Sequence, residues 1–162
     1  MKVEGAVVDA SPLIVLCRAG LIDLLPRLFP EILVPGTVWA EIGAGAASDP
    51  AVLQLPIAPW AKSVEVAGVP ADVAMWNLGA GESEVLTLAR ERPGCRAMVD
   101  DAAARACARV LGIPILGTGG ALVLAKRRGL IPSVGTALGA LRDAGLWLCG
   151  DIERLLLQQA GE

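Results

Sequence analysis

The sequence predicts a single α/β domain built on a central parallel sheet with helices on both faces. Short, wholly apolar segments of the kind that form buried parallel strands recur along the 162 residues. They alternate with longer segments that have the periodicity of helices, which is typical of α/β domains. With 54% hydrophobic and 19% charged residues, the chain is also able to bury one continuous core.

Strands are predicted where apolar residues run together and a turn residue or an acid follows them. Asp9 directly follows the first such segment, and Pro35 stops the second. Asp100 follows the fourth segment, and the last one leads into Gly117. The predicted strands are residues 6–8, 31–34, 63–66, 95–99 and 113–116.

Helices are predicted where a capping residue opens a segment of apolar residues spaced three or four apart. Ser11, followed by Pro12, is expected to cap the first helix, and Thr37 the helix after the second strand. Gly112 and Gly129 are expected to close two later helices. The predicted helices are residues 13–18, 21–28, 38–42, 83–92, 102–111, 121–128, 134–144 and 152–159.

The chain shows no internal repeat, linker or second domain. We therefore expect one domain, in which residues 1–131 form a core with the acidic motifs and residues 132–162 form a helical tail. Residues 43–49 are small and are expected to be flexible, and residues 70–79 favour no single element.

Cellular location is inferred from what the sequence lacks. No apolar segment approaches the ~18 residues of a membrane span. Glu4, Asp9 and Pro12 interrupt what would be the centre of a signal peptide. We therefore expect a cytoplasmic protein with reduced thiols. Its four cysteines, which form no C-x-x-C motif, are expected to be small buried residues.

The sequence contains no histidine and no tyrosine. This excludes Ser-His-Asp and Cys-His catalysis, the HExxH metalloproteases and every mechanism with an imidazole base. Acid–base or metal chemistry must therefore use carboxylates, hydroxyls, thiols, lysines or backbone groups.

Fourteen basic and seventeen acidic side chains give a net charge of −3, so nucleic-acid binding requires a local basic patch. Candidates for it are Arg105, Arg109, Lys126, Arg127 and Arg128. The attraction of cations to a helix C-terminus explains the last three equally well. With one phenylalanine and no tyrosine, an aromatic stacking platform is not expected, and the four tryptophans are assigned to the core or an interface.

Acidic residues follow the predicted strands or open the helices beside them. Asp9 follows the first strand and Asp100-Asp101 the fourth, while Glu41 and Glu82 lie on helices near such strand ends. Ligands of open α/β sheets bind outside the carboxyl ends of the strands, so we expect these acids to line one pocket. Carboxylates so placed repel one another unless a cation lies among them, and an oxygen-only set suits Mg²⁺ or Mn²⁺.

Each acid, taken alone, also has a structural explanation. Asp9 is explained as a cap of the following turn, Glu82 as a favourable charge at a helix N-terminus and Glu41 as a solvated helix residue. Asp101, four residues before Arg105, is explained as a helix-start residue with an i,i+4 partner. Only their joint placement favours a functional interpretation.

Four segments of the chain resemble those of one protein family: VVDASPLIVLCRAGLIDLLPRLF, LVPGTVWAEI, GAGESEVLTLA and MVDDAAARACARVLGIPILGTGGALVLAKRRGLIP. Together they cover well over half the sequence, and they resemble PIN-domain proteins, more narrowly the prokaryotic group related to VapC toxins. The resemblance implies a metal-dependent ribonuclease with Mg²⁺ or Mn²⁺ as cofactor and RNA as substrate. A toxin of this kind has an antitoxin protein as its partner.

The resemblance also implies which residues form the catalytic, metal-binding cluster. By position they are Asp9, Glu41, Glu82 and Asp100, with Asp101 as a close substitute for Asp100. Asp9 and Asp100 are then direct metal ligands, and Glu41 and Glu82 bind directly or through water.

The chain departs from the family pattern at two positions, and Ser11 and Thr118 are candidate accessory residues. Many PIN nucleases carry a further Asp after the last strand, where this chain has Thr118, a weaker ligand. Glu82 stands where many members have the shorter Asp. Ser11 is placed to contact the metal's water shell or a phosphate, and helix capping explains it as well.

Three alternatives to a ribonuclease are a scaffold protein, a phosphatase and a dinucleotide-binding protein. A non-catalytic PIN-like binding or scaffold protein is the main alternative, which the missing late Asp and the acidic charge favour. A phosphatase of the haloacid dehalogenase type requires a second Asp where Ser11 stands. The glycines around Thr118 lack the G-x-G-x-x-G spacing of dinucleotide-binding proteins.

A homodimer is also expected. The predicted first helices carry more apolar surface than a thin domain readily covers, which usually marks an interface, and the related nucleases are commonly dimeric. The residues concerned are Leu13, Ile14, Leu21, Leu24, Leu25 and Leu28.

Overall fold

In the computed structural model, which describes residues 4–162, five parallel strands form one sheet with helices packed around it. The predicted fold class is therefore confirmed. The sheet order is β3-β2-β1-β4-β5. The strands are β1 (Gly5–Val8), β2 (Ile32–Pro35), β3 (Ala61–Val64), β4 (Cys95–Met98) and β5 (Ile115–Leu116).

Every predicted helix is present and begins within three residues of its predicted start. The short helices at residues 50–54 and 71–74 were not predicted. A single 3₁₀ turn (Leu55–Ile57) follows the fourth helix. The helices are α1 (Ala10–Arg18), α2 (Leu24–Leu28), α3 (Gly36–Gly43), α4 (Pro50–Gln54), α5 (Ala71–Ala74), α6 (Ala80–Glu91), α7 (Ala102–Val110), α8 (Thr118–Arg127), α9 (Val134–Asp143) and α10 (Gly150–Ala160).

The order of the strands creates a crevice beside β1. Strand β2 pairs with one side of β1, and β3 pairs with the outer side of β2. The next strand in the sequence, β4, pairs with the other side of β1. Val8 and Met98, the last residues of β1 and β4, lie opposite each other in the ladder. Ligand sites of open α/β sheets lie at such a reversal, outside the carboxyl ends of the strands. The residues that follow Val8 and Met98 are therefore the candidates for a ligand site.

Two predicted helix caps are wrong. Helix α1 begins at Ala10 rather than after Ser11, so Ser11 lies exposed within its first turn. Helix α3 begins at Gly36, and Thr37 caps nothing with its side chain. Its backbone N–H instead donates to Glu84 Oε2 (3.2 Å), a residue 47 positions away. Capping by a distant side chain leaves no mark in the local sequence.

Helices α6 and α8 each begin three residues earlier than predicted. Their first turns contain Gly81 and Gly119, and glycine usually marks a turn rather than a helix. Acceptor carboxylates at both N-termini satisfy the free N–H groups that would otherwise disfavour a helix there. The shift brings Glu82 and Thr118 into the first turns of these helices.

The stretch between α3 and β3 is more ordered than the sequence indicates. The flexible stretch predicted at residues 43–49 ends at Asp49, which accepts hydrogen bonds from Ala51 N (2.9 Å) and from the Arg18 guanidinium (2.5 and 3.0 Å). Helix α4 begins there with Pro50 at its first position. Strand β3 lies two residues earlier than predicted, and β5 has only two residues, 115 and 116.

The apolar surface that suggested a dimer is covered within the chain. Leu13, Leu24, Leu25 and Leu28 are buried, and Ile14 and Leu21 are half-buried against the same core. The thiols of three cysteines are buried too, and Cys149 is half-buried. Among the described helices, none is long and apolar enough to cross a membrane.

Glu162 connects the last three helices. Its carboxylate accepts hydrogen bonds from Val134 N (2.7 Å) and Gly135 N (2.9 Å) at the start of α9, and from the Ser133 hydroxyl (3.1 Å). It also pairs with Lys126 near the end of α8. Its bond with Lys126, followed by the backbone donors, lowers the pKa of Glu162 to about 2.

We predict that Glu162→Gln lowers the melting temperature at pH 7, because a neutral amide loses the ion pair and the interaction with the α9 N-terminus. A depressed pKa contributes stability that is complete above the unfolded value of 4.5 and is lost as the pH falls toward 2. Thermal melts should therefore show a gap between variant and wild type that narrows from pH 6 to pH 3. Glu91→Gln, an exposed control, should show no such trend; a constant gap for Glu162→Gln contradicts the prediction.

Candidate active site

Asp9 lies at the reversal of the sheet, directly after β1. Its N–H donates to Met98 O (3.1 Å), which fixes it beside the end of β4. The residue occupies the N-cap position of α1, yet its side chain forms no capping hydrogen bond. It is only 5% exposed. The explanation of Asp9 as a cap is therefore wrong, and a buried carboxylate remains to be accounted for.

The electrostatics of Asp9 are unusual. Its pKa is raised from 3.8 to about 7, and burial is the main cause. The Ala10 N–H lowers the pKa, and repulsion from Glu82, Glu41 and Asp100 contributes to the rise. The negative charges of the three predicted partners therefore all disfavour ionisation of Asp9.

Asp100 lies two residues beyond β4 and is held by Thr118. The Thr118 N–H donates to Asp100 Oδ1 (2.8 Å), and the Thr118 hydroxyl donates to Oδ2 (2.5 Å). Thr118 is fully buried at the first position of α8. Its hydroxyl is therefore a donor that positions Asp100, where the sequence suggested a weak metal ligand.

Glu41 and Glu84 connect the N-termini of α3 and α6 reciprocally. Glu41 Oε1 accepts a hydrogen bond from Gly81 N (3.1 Å) in the first turn of α6, and Glu84 Oε2 accepts from Thr37 N in the first turn of α3. A Cβ at Gly81 would lie 2.6 Å from Glu41 Oε1, so a larger residue here would require the carboxylate to move from this position. Glu41 is exposed, which agrees with its explanation as a solvated helix residue, and its Oε1 is at the same time bound to the N-terminus of α6.

Glu82 lies in the first turn of α6 and has a structural role as well. Its Oε2 accepts a hydrogen bond from Gly79 N (3.1 Å), the residue before the helix. Burial raises the pKa of Glu82, the Gly79 N–H lowers it, and repulsion from Asp101 and Glu41 raises it again. The half-buried carboxylate therefore combines helix capping with a place in the acidic cluster.

Asp101 belongs to the structure of α7. Its Oδ2 accepts a hydrogen bond from Ala104 N (2.9 Å), the geometry of an N-cap. The predicted pairing with Arg105 is wrong, because Arg105 Nη1 turns to the Val99 carbonyl instead (3.2 Å). Of the two adjacent acids, Asp100 is the one that lies beside the helix α8 N-terminus, and Asp101 caps α7.

Ser11 lines an open cleft of about 470 Å³ next to the acidic residues. Glu41 and Arg18 line it too, together with Leu146 on the loop between α9 and α10. The exposed Ser11 thus lines the same cleft as Glu41, and its accessory role stays a prediction.

The basic residues divide into two groups. Lys126 pairs with Glu162, Arg127 donates to Gln159 O (3.1 Å), and Arg128 donates to Leu28 O (2.5 Å). These three contacts join parts of the fold, and Arg127 and Arg128 stay exposed. Arg105 likewise donates to the Val99 carbonyl, and Arg109 is exposed. Both line a second cleft, which begins at Asp100.

Sequence reasoning missed Glu84 and Gly81 as parts of the site. Both lie in the GAGESE segment, but nothing local shows that the N–H of Gly81 faces a glutamate 40 residues earlier. The signal that was available is the glycine itself, since a glycine at the second position of a helix indicates a close approach.

Comparison with protein families identifies the chain. A family model, the PIN domain DUF3368, matches residues 5–162. The chain belongs to the PIN-domain family. No curated protein matches it significantly. PIN domains are generally nucleases, so membership supports a nuclease role for this PIN domain and the binding of nucleic acid.

PIN domains are typically dependent on divalent metal, and the chemistry of this site fits such an ion. The donors are carboxylate oxygens alone, which suit hard divalent cations, and Asp9 is buried without a capping partner. Within residues 4–162, however, no three acids converge closely enough to enclose an ion. Glu41, Glu82 and Asp100 each accept hydrogen bonds from first-turn or adjacent donors. Ion binding must therefore compete with these donors.

We predict that Asp9→Asn stabilises the metal-free protein. With a pKa of about 7 folded and 3.8 unfolded, Asp9 binds a proton in the folded state that the unfolded chain has released, so its cost to stability grows as the pH rises between these values. The full cost is on the order of a few kcal/mol. Thermal melts in EDTA should show the variant gaining on wild type from pH 4 to pH 8.

Glu91→Gln, an exposed residue at the end of α6, serves as the control. It should show no comparable gain over wild type across the same pH range. If the Asp9→Asn protein is less stable than wild type at pH 8, the prediction is wrong, and other groups in solution stabilise the ionised Asp9 carboxylate.

Proposed function

We propose that this protein is a metal-dependent endoribonuclease that hydrolyses phosphodiester bonds in single-stranded or structured RNA. The observation that carries the proposal is Asp9, a buried carboxylate at the sheet reversal whose pKa is raised by burial and by three neighbouring acids. A divalent cation relieves both the burial cost and the repulsion, which hydrogen bonding to the surrounding backbone does not do.

The chain's own residues have distinct roles in this proposal. Asp9 and Asp100 hold Mg²⁺ or Mn²⁺ directly, and Glu41 and Glu82 hold it directly or through water. Thr118 keeps the Asp100 carboxylate in place through two hydrogen bonds. When bound, the metal supplies Lewis acidity to the scissile phosphate and lowers the pKa of water. No histidine is needed, which agrees with a sequence that has none.

A VapC-like toxin role, with an antitoxin as partner, is a narrower form of this proposal and is supported by the sequence resemblance alone. A homodimer likewise stays a prediction, and its interface must be other than the leucines of the first helices, since these are covered by the core. The rival scaffold function is favoured by the hydrogen bonds that occupy three of the four acids.

We expect Asp9→Asn to lower the rate of RNA cleavage by more than about a hundredfold. The change keeps size but removes a ligand charge, and even second-shell changes at metal sites cost about 10–100-fold. Asp101→Asn should cleave nearly as wild type does, because asparagine caps α7 equally well. Cleavage of labelled RNA should stop in EDTA and return with Mn²⁺.

Calorimetric titration with Mn²⁺ separates the nuclease from the scaffold. Wild type should bind the ion and Asp9→Asn should bind it much more weakly. Cleavage that survives both EDTA and the substitution means a different mechanism or a contaminant. Failure of wild type to bind Mn²⁺ and to cleave any RNA supports the scaffold function.

We expect Gly81→Ala to weaken Mn²⁺ binding and RNA cleavage at least about tenfold without loss of stability. A Cβ there meets Glu41 Oε1 at 2.6 Å and must displace the carboxylate, while alanine favours the helix itself. Gly139→Ala in α9, where a Cβ has no neighbour within 4 Å, is the matched control. Equal Mn²⁺ affinity in both variants would show that Glu41 takes no part in the site.

A further inference from the structure

The second cleft, which we call the Trp147 groove, has a volume of about 440 Å³ and starts at the acidic site. It lies between α7, the first turn of α8 and α10. The side chains that matter for its chemistry are Asp100, Arg105, Arg109, Trp147, Ile152 and Leu155.

Trp147 stands out among the tryptophans. It is 83% exposed, whereas the other three are half-buried. Two further apolar side chains of the groove, Ile152 and Leu155, are 47% and 51% exposed. An indole is costly to leave in water, and here it lies in a concave surface rather than alone on a convex one. Trp147 therefore lies outside the core, and of the two places expected for the tryptophans only an interface remains for it.

The charge of the groove favours an anionic ligand. Arg105 and Arg109 are four residues apart on α7 and so lie on one face of the helix. In the part of the chain that the structure describes, neither forms an ion pair with a carboxylate. Asp100, at the end nearest the acidic site, is the sole acid in the lining.

The groove is continuous with the candidate active site. Asp100 belongs to both, and a Cβ at Gly117 would lie 2.8 Å from Arg105 Nη1 and 3.4 Å from Asp100 Oδ1. Leu146, the neighbour of Trp147, also lines the first cleft with Glu41 and Ser11. A polymeric ligand that crosses the acidic site would therefore also contact the two arginines and the exposed indole.

We propose that the Trp147 groove binds an unpaired segment of the RNA substrate, with one base stacked on Trp147 and the backbone phosphates on Arg105 and Arg109. This rests on the proposed function and adds a substrate subsite to it. Stacking requires a base that is not enclosed in a duplex, and it combines with arginine–phosphate contacts in proteins that bind single strands. The groove therefore selects single-stranded over double-stranded RNA.

The test is the affinity for a short fluorescent single-stranded RNA, measured by anisotropy in EDTA so that no cleavage occurs. Trp147→Ala should weaken binding about tenfold, as expected for the loss of one stacked base, and Trp147→Phe should retain most of it. The control is Ile57→Ala, which removes an apolar side chain that is 81% exposed and lies outside the groove. Its affinity should equal that of wild type.

The arginines give an independent measurement. Arg109→Ala should weaken binding and reduce the slope of log affinity against log salt by about 1, as for the loss of one phosphate contact. Arg92→Ala, an exposed arginine outside the groove, should leave that slope unchanged.

The outcomes separate the subsite from the nuclease. Equal RNA affinity of Trp147→Ala and wild type, or equal affinity for duplex and single strand, overturns the subsite even if Mn²⁺-dependent cleavage is present. Trp147-dependent binding without any cleavage supports the subsite and refutes the nuclease. A Trp147→Ala protein that binds RNA normally but changes mass in light scattering shows that the groove is a contact between copies of the chain.

Discussion

The arrangement of the site depends on how the acidic side chains at the carboxyl edge of the parallel sheet are stabilised. Strands β1 and β4 deliver Asp9 and Asp100 to this edge, and the helices that follow or precede the strands begin there. Helix N-termini carry free N–H groups and a positive dipole end, so acids are favourable beside them. Asp100 and Glu82 use these donors, whereas Asp9 lies buried without a capping bond.

The reciprocal bonds between α3 and α6 tie the geometry of the site to the packing of the fold. Each helix presents a second-position N–H to a glutamate of the other, Glu84 to Thr37 and Glu41 to Gly81. A shift of one helix along the other would break both bonds at once. Glu41 is therefore held at a fixed place relative to Glu82, one residue after Gly81, and a change in the packing of these helices changes the acidic cluster.

The sequence predicts the position of a residue well when that position follows from the residue's own strand. It does not predict the position when a hydrogen-bond partner far away in the sequence determines it. Asp9 and Asp100 come directly after apolar segments, so their place at the sheet edge is predictable. The starts of α6 and α8 were missed because carboxylates stabilise glycine-containing first turns, in the case of α8 from 18 residues away. Arg128 illustrates the same limit, since its partner is the Leu28 carbonyl, 100 residues away. Nothing local distinguishes the exposed Trp147 from a core tryptophan.

Stability and function place opposite demands on Asp9. An asparagine at this position would avoid the cost of a charge that burial and three acids disfavour, and the fold has no structural use for the carboxylate as a cap. A pure scaffold gains nothing from such a residue. In the proposed metal-bound state a divalent cation would reverse the balance, because the groups that repel Asp9 would become its co-ligands and the binding free energy would add to that of folding. The cost of burying Asp9 in the metal-free chain therefore supports the proposal that this edge of the sheet holds an ion.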